Sequence, residues 1–391
     1  MPLLNALEFT RDHLIVGYHA SEQEQELRLD FKLKKRAKRP NAHGALMGEC
    51  WAIRKGLAGS NLFDPCAGQA EAPVMSPFPK DPIATDADGR ATCCPALGAW
   101  FHMEKLLPSD APRLEEACAR ILEWLGGQLR FTFSSFDPEV LPFRPQTLDY
   151  ISGYAAALPD GTSPFDAITA NFSSFARADF SVHCIGSDDA GAASPVSVRF
   201  FAEIPEFERR PIEVNAVLGI TVPCDWPLDD FESHVLDFAK ALRLRWATAG
   251  LTYSRWTVAG VTEVENAIAA HARRYVGFDM GIFVRQTKAL YDHLRTVSWL
   301  TLLGPGLMNR VALPVSDGLL LSTAGDVRII KAGATPEAGD VNRLAVPPLY
   351  VAADKLLRPL RAARLNANAA PGDWDDQSLS RWLRRFELSY S

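Results

Sequence analysis

The histidines and the paired carboxylates are the residues of this chain that could carry acid–base or metal chemistry. None of the eight histidines stands at a catalytic or metal-ligand spacing that includes a third member. The spacings that come nearest are His13 with His19, His102 with Glu104, and His183 with Cys184. Three acidic pairs stand beside turn or helix-start residues, where carboxylates are favoured for structural reasons alone: Asp188-Asp189, Asp229-Asp230 and Asp375-Asp376. We therefore predict no acid–base site from these residues.

The sequence motifs of common catalytic sites are absent as well. The chain has no HExxH, no Walker loop, no GxSxG and no GxGxxG after a strand pattern. Its seven cysteines lack CxxC spacing, so buried, reduced thiols are expected in place of a zinc knuckle or a disulfide framework. The adjacent Cys93 and Cys94 leave a strained vicinal disulfide open as an alternative. We predict a protein that is not an enzyme and uses no cofactor or metal.

Charge and composition limit the partners of the chain. Of the 391 residues, 47% are hydrophobic and 23% are charged, as in an ordinary folded protein. The net charge of −6 disfavours direct binding to nucleic acid or anionic lipid, which needs a basic face. The basic run at residues 34–39 is more simply a solvated strand end. With no apolar window of membrane-spanning length and no pattern of a secretory signal, we expect a cytoplasmic protein with a basic protein partner.

Two similar units of strands followed by an amphipathic helix predict the architecture. The first helix is capped by Ser109 or Asp110 and stops at Gly126-Gly127; the second follows Pro227 and carries an apolar stripe from Phe231 to Trp246. The shared pattern indicates an α+β protein of two similar lobes, each a mainly antiparallel sheet with helices packed on one face. We place the N-terminal strands and a Pro/Gly-rich loop in residues 1–95, the rest of the first lobe in 96–205, and the second lobe in 206–391.

Further elements follow from periodicity. Residues 27–33 alternate as a strand, and residues 56–95 carry too many prolines and glycines for a regular element. Two strands are expected at 196–204 and 216–222, and a hairpin joins 319–321 to 327–331. Helices are predicted at 264–275, at 286–302, at 349–365 with a bend at Pro359, and at 379–386.

Four signatures near the C-terminus exceed what folding alone requires. They are S-W-L-T-L-L-G-P-G-L from Ser298, K-A-G-A-T-P-E-A-G-D-V-N from Lys331, P-P-L-Y-V-A-A-D-K-L-L-R-P-L-R from Pro347, and W-L-R-R-F-E from Trp382. The residues that stand out in them are Trp299, Gly304, Gly333, Pro336, Gly339, Asp340, Asn342, Tyr350, Trp382, Arg384, Arg385 and Phe386. Their types predict a rigid loop with backbone-bonding polar groups, aromatic core anchors and arginines that pair with carboxylates. A polar binding site that uses Asp340 is the alternative.

In order and spacing these signatures resemble the bacterial type VI secretion immunity family, whose best-understood members neutralise VRR-Nuc nuclease effectors. The resemblance is close from Ser298 to Glu387 and loose from about Leu97. It implies an antitoxin without enzymatic activity that binds a cognate effector, typically a DNA-cleaving nuclease, and occludes its active site.

An acidic group with an aromatic neighbour is the candidate contact surface for such a partner. It comprises Asp225, Trp226, Asp229, Asp230 and Glu232. An ordinary helix start explains the same residues more simply. Two other functions stay open: a small-molecule-binding or regulatory protein with a ligand cleft between two lobes, and an enzyme whose site has no recognisable motif.

Overall fold

A computed structural model describes most of the chain as two compact units, Met1–Val74 and Met75–Ser391. The described residues are 9–11, 14–19, 28–33, 81–135, 139–156, 158, 179–203, 215–256, 261–281, 293–311, 318–362 and 372–387. In the first unit, strands β1 (Phe9–Arg11), β2 (Leu14–His19) and β3 (Arg28–Leu33) form an antiparallel sheet in the order β1-β2-β3. The strand predicted at 27–33 is confirmed as β3.

The described part of the second unit is built on one sheet of eleven antiparallel strands. Its strands are β4 (Ala84–Thr85), β5 (Ala91–Met103), β6 (Phe131–Ser134), β7 (Leu141–Pro142), β8 (Asp179–Ile185), β9 (Ser197–Glu203), β10 (Asn215–Val222), β11 (Leu244–Arg255), β12 (Leu300–Leu303), β13 (Leu320–Ala324) and β14 (Val327–Lys331). The order is β13-β14-β12-β11-β5-β10-β9-β8-β6-β7, and β4 pairs with β5 beside this path.

Seven α-helices lie in the described part of the same unit. They are α1 (Ala111–Leu125), α2 (Asp149–Ala156), α3 (Leu228–Ala241), α4 (Val261–Arg274), α5 (Pro305–Met308), α6 (Pro348–Leu357) and α7 (Asp376–Leu383). Short 3₁₀ turns precede α1 and α2, follow α6, and begin after Asp340.

Helices α1 and α3 cover the middle of the sheet on one face. Because side chains alternate along a strand, β5 directs Leu97 and Phe101 into the main core, while Trp100 faces away from it. Ile121 of α1 and Phe238 of α3 are fully buried in this core, and the rings of Phe101 and Phe238 are 5.8 Å apart. Burial of each such side chain stabilises the fold by roughly 1.5–3 kcal/mol.

The α+β class and the antiparallel sheet are confirmed. Strands of the two predicted lobes alternate in a single sheet: β5 of the first pairs with β10 and β11 of the second, and β10 also pairs with β9. The division into two lobes, each with its own sheet, is therefore not confirmed. The hairpin of β13 and β14 and the strands predicted at 196–204 and 216–222 are confirmed.

Three element predictions were wrong because tertiary pairing overrode local patterns. Trp246 belongs to β11, not to the preceding helix, which ends at Ala241. Residues 300–303 form β12 and not the end of a helix; residues 286–292 lie outside the described part. The stretch predicted to be irregular up to residue 95 already contains the start of β5 at Ala91. Pro95 can lie in this strand because, among the described residues, no strand pairs with one of its two edges between Cys93 and Leu97.

Within the described residues, no helix is both long enough and apolar enough to cross a membrane.

Candidate functional site

The C-terminal signatures meet around a loop, residues 332–346, that leaves the end of β14. Trp299 is fully buried at the start of β12, and its indole Nε1–H donates a hydrogen bond to the carbonyl of Gly333 at 3.0 Å. The ammonium of Lys331 lies 5.1 Å from the centre of the same ring, within reach of a cation–π interaction. Gly333 has a φ of +98°, which strains any side chain, so the loop turns at the point where the indole holds it.

Asp340 fastens the far end of this loop. Its carboxylate caps the following 3₁₀ turn by accepting the Asn342 N–H at 3.0 Å, and it pairs with the Arg274 guanidinium of α4 at 2.9 Å. Backbone hydrogen bonds between Asp340 and Ala345 close the turn. The guanidinium of Arg274 is the main cause that lowers the pKa of the Asp340 carboxyl below its ordinary 3.8. The carboxylate is thus already bound on two sides by groups of its own chain.

Helices α6 and α7 close the other side of the loop. Tyr350 of α6 is fully buried, its hydroxyl accepts the Glu337 N–H at 3.2 Å, and its ring packs edge-on against Phe386 at 5.7 Å. Trp382 on α7 is buried as well. Pro336 of the loop is buried too.

Arg384 and Arg385 lie on opposite sides of the chain after α7. Arg385 is 2% exposed and donates from Nε to the carbonyl of Val276 at 2.7 Å, while its guanidinium lies 3.9 Å from the Trp382 ring centre. Arg384 is exposed. Adjacent arginines therefore have different surroundings, and only Arg385 is part of the packed core.

Two glycines of the signatures allow close approach. A Cβ on Gly304 would lie 1.7 Å from the carbonyl oxygen of Leu244, so β11 and the start of α5 can touch only without a side chain there. Gly339 has a φ of +65°, and a Cβ there would lie 2.7 Å from Pro347.

The acidic group of residues 225–232 lies on the surface at the start of α3. Asp225, Asp229 and Asp230 are exposed, and Trp226 and Glu232 are half-buried. The Trp226 indole donates to Asp230 at 2.7 Å. Glu232 pairs with Lys331 at 2.6 Å, which connects this surface to the strand that leads into the C-terminal loop.

The structure adds α1 to this surface, which sequence spacing did not predict. Trp124 packs edge-on against Trp226 at 6.1 Å and stacks on His234 at 4.2 Å, so α1 and α3 lie side by side. Residues 111–125 and 225–241 together carry eight carboxylates and three basic side chains. We call this two-helix region the acidic surface. The sequence signal for this surface lay mainly in residues 225–241, which carry five carboxylates and one lysine, since residues 111–125 carry three carboxylates and two arginines.

His102, His183 and the five cysteines that the structure describes lie in the interior, while His13 falls outside the described residues. His102 is 6% exposed and stacked on Trp246 at a ring distance of 3.5 Å, and burial lowers its pKa well below the ordinary value, as it does for His183. Cys93 and Cys94 are free thiols on opposite faces of β5, and burial raises the pKa of Cys94 to about 11. No group of three potential metal ligands occurs among the described residues.

Comparison with known proteins agrees with these C-terminal signatures. The family model for type VI immunity for VRR-NUC matches residues 163–386, more than half of the chain. A solved structure, the Pseudomonas aeruginosa T6SS protein PA0821, superposes with a TM-score of 0.60 at 17% identity, over 80% of this chain and 88% of that chain, which shows a shared fold. No curated protein matches the chain. The extent of the family match, with the resemblance from Ser298 to Glu387, establishes that this chain belongs to the type VI immunity family for VRR-NUC.

Proposed function

We propose that this protein is an antitoxin that binds a cognate VRR-NUC effector in the cytoplasm, without enzymatic activity, and blocks the effector's active site by occlusion. The family match over residues 163–386 carries the proposal. The partner is a protein, and the antitoxin itself contacts neither DNA nor membrane.

The acidic surface is the part of the molecule best suited to this role. A DNA-cleaving enzyme needs a basic groove, because most contacts to a duplex are made with phosphates. A surface rich in carboxylates is attracted to such a groove and takes the place of the phosphates. Opposite charge also speeds the encounter, which benefits an antitoxin that must capture each toxin molecule quickly.

Trp226 supplies an apolar anchor within this charged region. Aromatic side chains ringed by polar groups are frequent centres of binding energy in protein interfaces. Trp226 is half-buried, braced by Trp124, and fixed by its hydrogen bond to Asp230. Its position is therefore set before binding, which reduces the entropy lost on association.

Co-purification with the product of the adjacent upstream gene tests the proposal. We expect a stoichiometric complex and loss of DNA cleavage when this protein is added. If the captured partner does not cleave DNA, the immunity role stands and the proposal that the partner is a nuclease is rejected. Failure to bind, with both proteins folded, would reject the antitoxin role.

A further inference from the structure

A pocket of basic side chains lies between the end of α6 and the end of α7. It has a volume of about 310 Å³. Its lining comprises Arg295, Arg358, Arg361, Ala362, Ser380, Leu383, Arg384 and Glu387. All of these residues belong to the region 206–391, so this pocket is not the ligand cleft between two lobes that the sequence left open. We call it the arginine pocket.

The chain neutralises the inner part of the arginine pocket with its own carboxylates. Asp354 is 1% exposed and lies 2.8 Å from Arg361. Glu387 pairs with Arg361 and lies 3.8 Å from Arg358. Arg295 pairs with the buried Asp279. These contacts explain how several guanidinium groups can be held together in a protein interior.

Positive charge remains at the mouth of the pocket. Arg384 is exposed, and among the described residues no carboxylate lies within ion-pair distance of it. The side chain of Arg358 is 48% exposed, and its guanidinium lies 3.7 Å from the buried Asp354. Deeper in, the buried Nε of Arg361 has no hydrogen-bond partner within the described part of the chain. The pocket thus offers donors that its own acids leave unused.

We propose that the arginine pocket binds an oxyanion, a carboxylate or a phosphate group. The planar guanidinium group presents pairs of N–H donors whose spacing matches the two oxygens of such anions. Arg358 and Arg384 hold the anion at the mouth, and the Ser380 hydroxyl on α7 is a neutral donor in the same lining. The inference goes beyond the proposed antitoxin role, because the acidic surface recognises a basic partner and this pocket selects the opposite charge.

Two sources can deliver this group: a free phosphate-bearing molecule, or an acidic side chain of the bound effector. The probes are inorganic phosphate, titrated calorimetrically against chloride at constant ionic strength, and the effector itself. The test variant is Arg384→Ser, which removes an exposed guanidinium. Arg381→Ser is the matched control, because Arg381 is also exposed, lies three residues earlier in the last turn of α7, and does not line the pocket.

For a free anion we expect saturable phosphate binding that weakens roughly tenfold in Arg384→Ser, as for the loss of one charge-assisted hydrogen bond, and is unchanged in Arg381→Ser. Glu387→Gln should bind phosphate more tightly than the native protein, since it removes a competing internal carboxylate. If the pocket instead binds a carboxylate of the effector, we expect no saturable binding of phosphate. Arg384→Ser should then weaken binding of the effector by a similar factor, and Arg381→Ser should leave it unchanged.

The proposal is overturned if Arg384→Ser behaves like Arg381→Ser with both probes, since the arginines would then serve only to clamp α7 to α6. Should the native protein fail to capture the effector at all, the antitoxin role fails, and the phosphate titration alone decides on the pocket.

Discussion

At the scale of single residues, Asp340 shows how one side chain can combine a cap and an ion pair. It accepts the Asn342 N–H and pairs with Arg274, so it joins the C-terminal loop to α4. Substitution can separate the two roles, because asparagine keeps the capping oxygen and loses the charge.

We predict that Asp340→Ala costs about 1–2 kcal/mol of unfolding free energy, while Asp340→Asn costs less because the cap remains. The folded-state pKa of Asp340 is lowered, so the contribution of its charge is complete above the ordinary value of 3.8 and is lost as the pH falls through the folded pKa. Urea titrations should therefore show that the stabilities of the native protein and Asp340→Asn converge only as the pH falls below 3.8. A difference that stays constant across this range would contradict the charge argument.

Asp229 is the carboxylate with which to test the acidic surface. It is exposed in the first turn of α3, and its reversal to lysine places a like charge opposite a basic groove. We predict that Asp229→Lys lowers the association rate with the effector several-fold, because exposed interfacial charges act mainly on the encounter.

The matched control for this substitution is Glu263→Lys, since Glu263 is exposed in the first turn of α4 and loses the same helix-dipole interaction. Stopped-flow rates that change equally in the two variants would remove Asp229 from the interface.

At the scale of elements, α7 is held to the body by the residues that follow it. Arg385 is nearly buried, bonds to the Val276 carbonyl, and packs between the rings of Trp382 and Phe386. The guanidinium thus links α7 to the segment after α4, and its apolar neighbours keep water from taking its place.

We predict that Arg385→Leu destabilises the protein by about 2–4 kcal/mol, because it leaves a buried carbonyl unpaired and removes the stacked cation. Arg385→Lys should restore only part of the lost stability, since an ammonium lacks the planar group that stacks on a ring while it donates a hydrogen bond in its own plane. The neighbouring exposed variant Arg381→Ala should change stability by less than about 0.5 kcal/mol. Equal denaturation midpoints for the Arg381 and Arg385 variants would show that α7 docks by apolar contacts alone.

At the scale of the whole molecule, charge is distributed unevenly. The net charge is −6, yet the acidic surface and the arginine pocket are regions of opposite sign on one chain. An attraction that depends on exposed charges is screened by salt over a Debye length of roughly 10 Å at 0.1 M.

We predict that the association rate with the effector falls roughly tenfold or more between 0.05 and 0.5 M NaCl, while the dissociation rate changes much less. The double variant Asp229→Lys, Asp230→Lys should show a shallower dependence on salt. A rate that does not depend on ionic strength in the native protein would exclude electrostatic steering.

Local sequence patterns were enough to predict the class of fold, several of its elements and the family. The α+β class, strand β3, and the hairpin of β13 and β14 follow from alternation and turn chemistry, which act over a few residues. The order and spacing of the C-terminal signatures indicated the family by resemblance, and Trp299, Gly333 and Asp340 of these signatures make specific hydrogen bonds in the structure.

The contacts between segments that are far apart in the chain could not be predicted from these patterns. Leu300–Leu303 reads locally as part of a helix and Trp246 as part of an apolar stripe, yet pairing between strands placed both in the sheet. Helices α1 and α3 lie side by side although they are far apart in the chain. The arginine pocket likewise brings together Arg295 and Arg384, which are more than 85 residues apart. Such contacts depend on the free energy of packing the whole chain, which no local pattern contains.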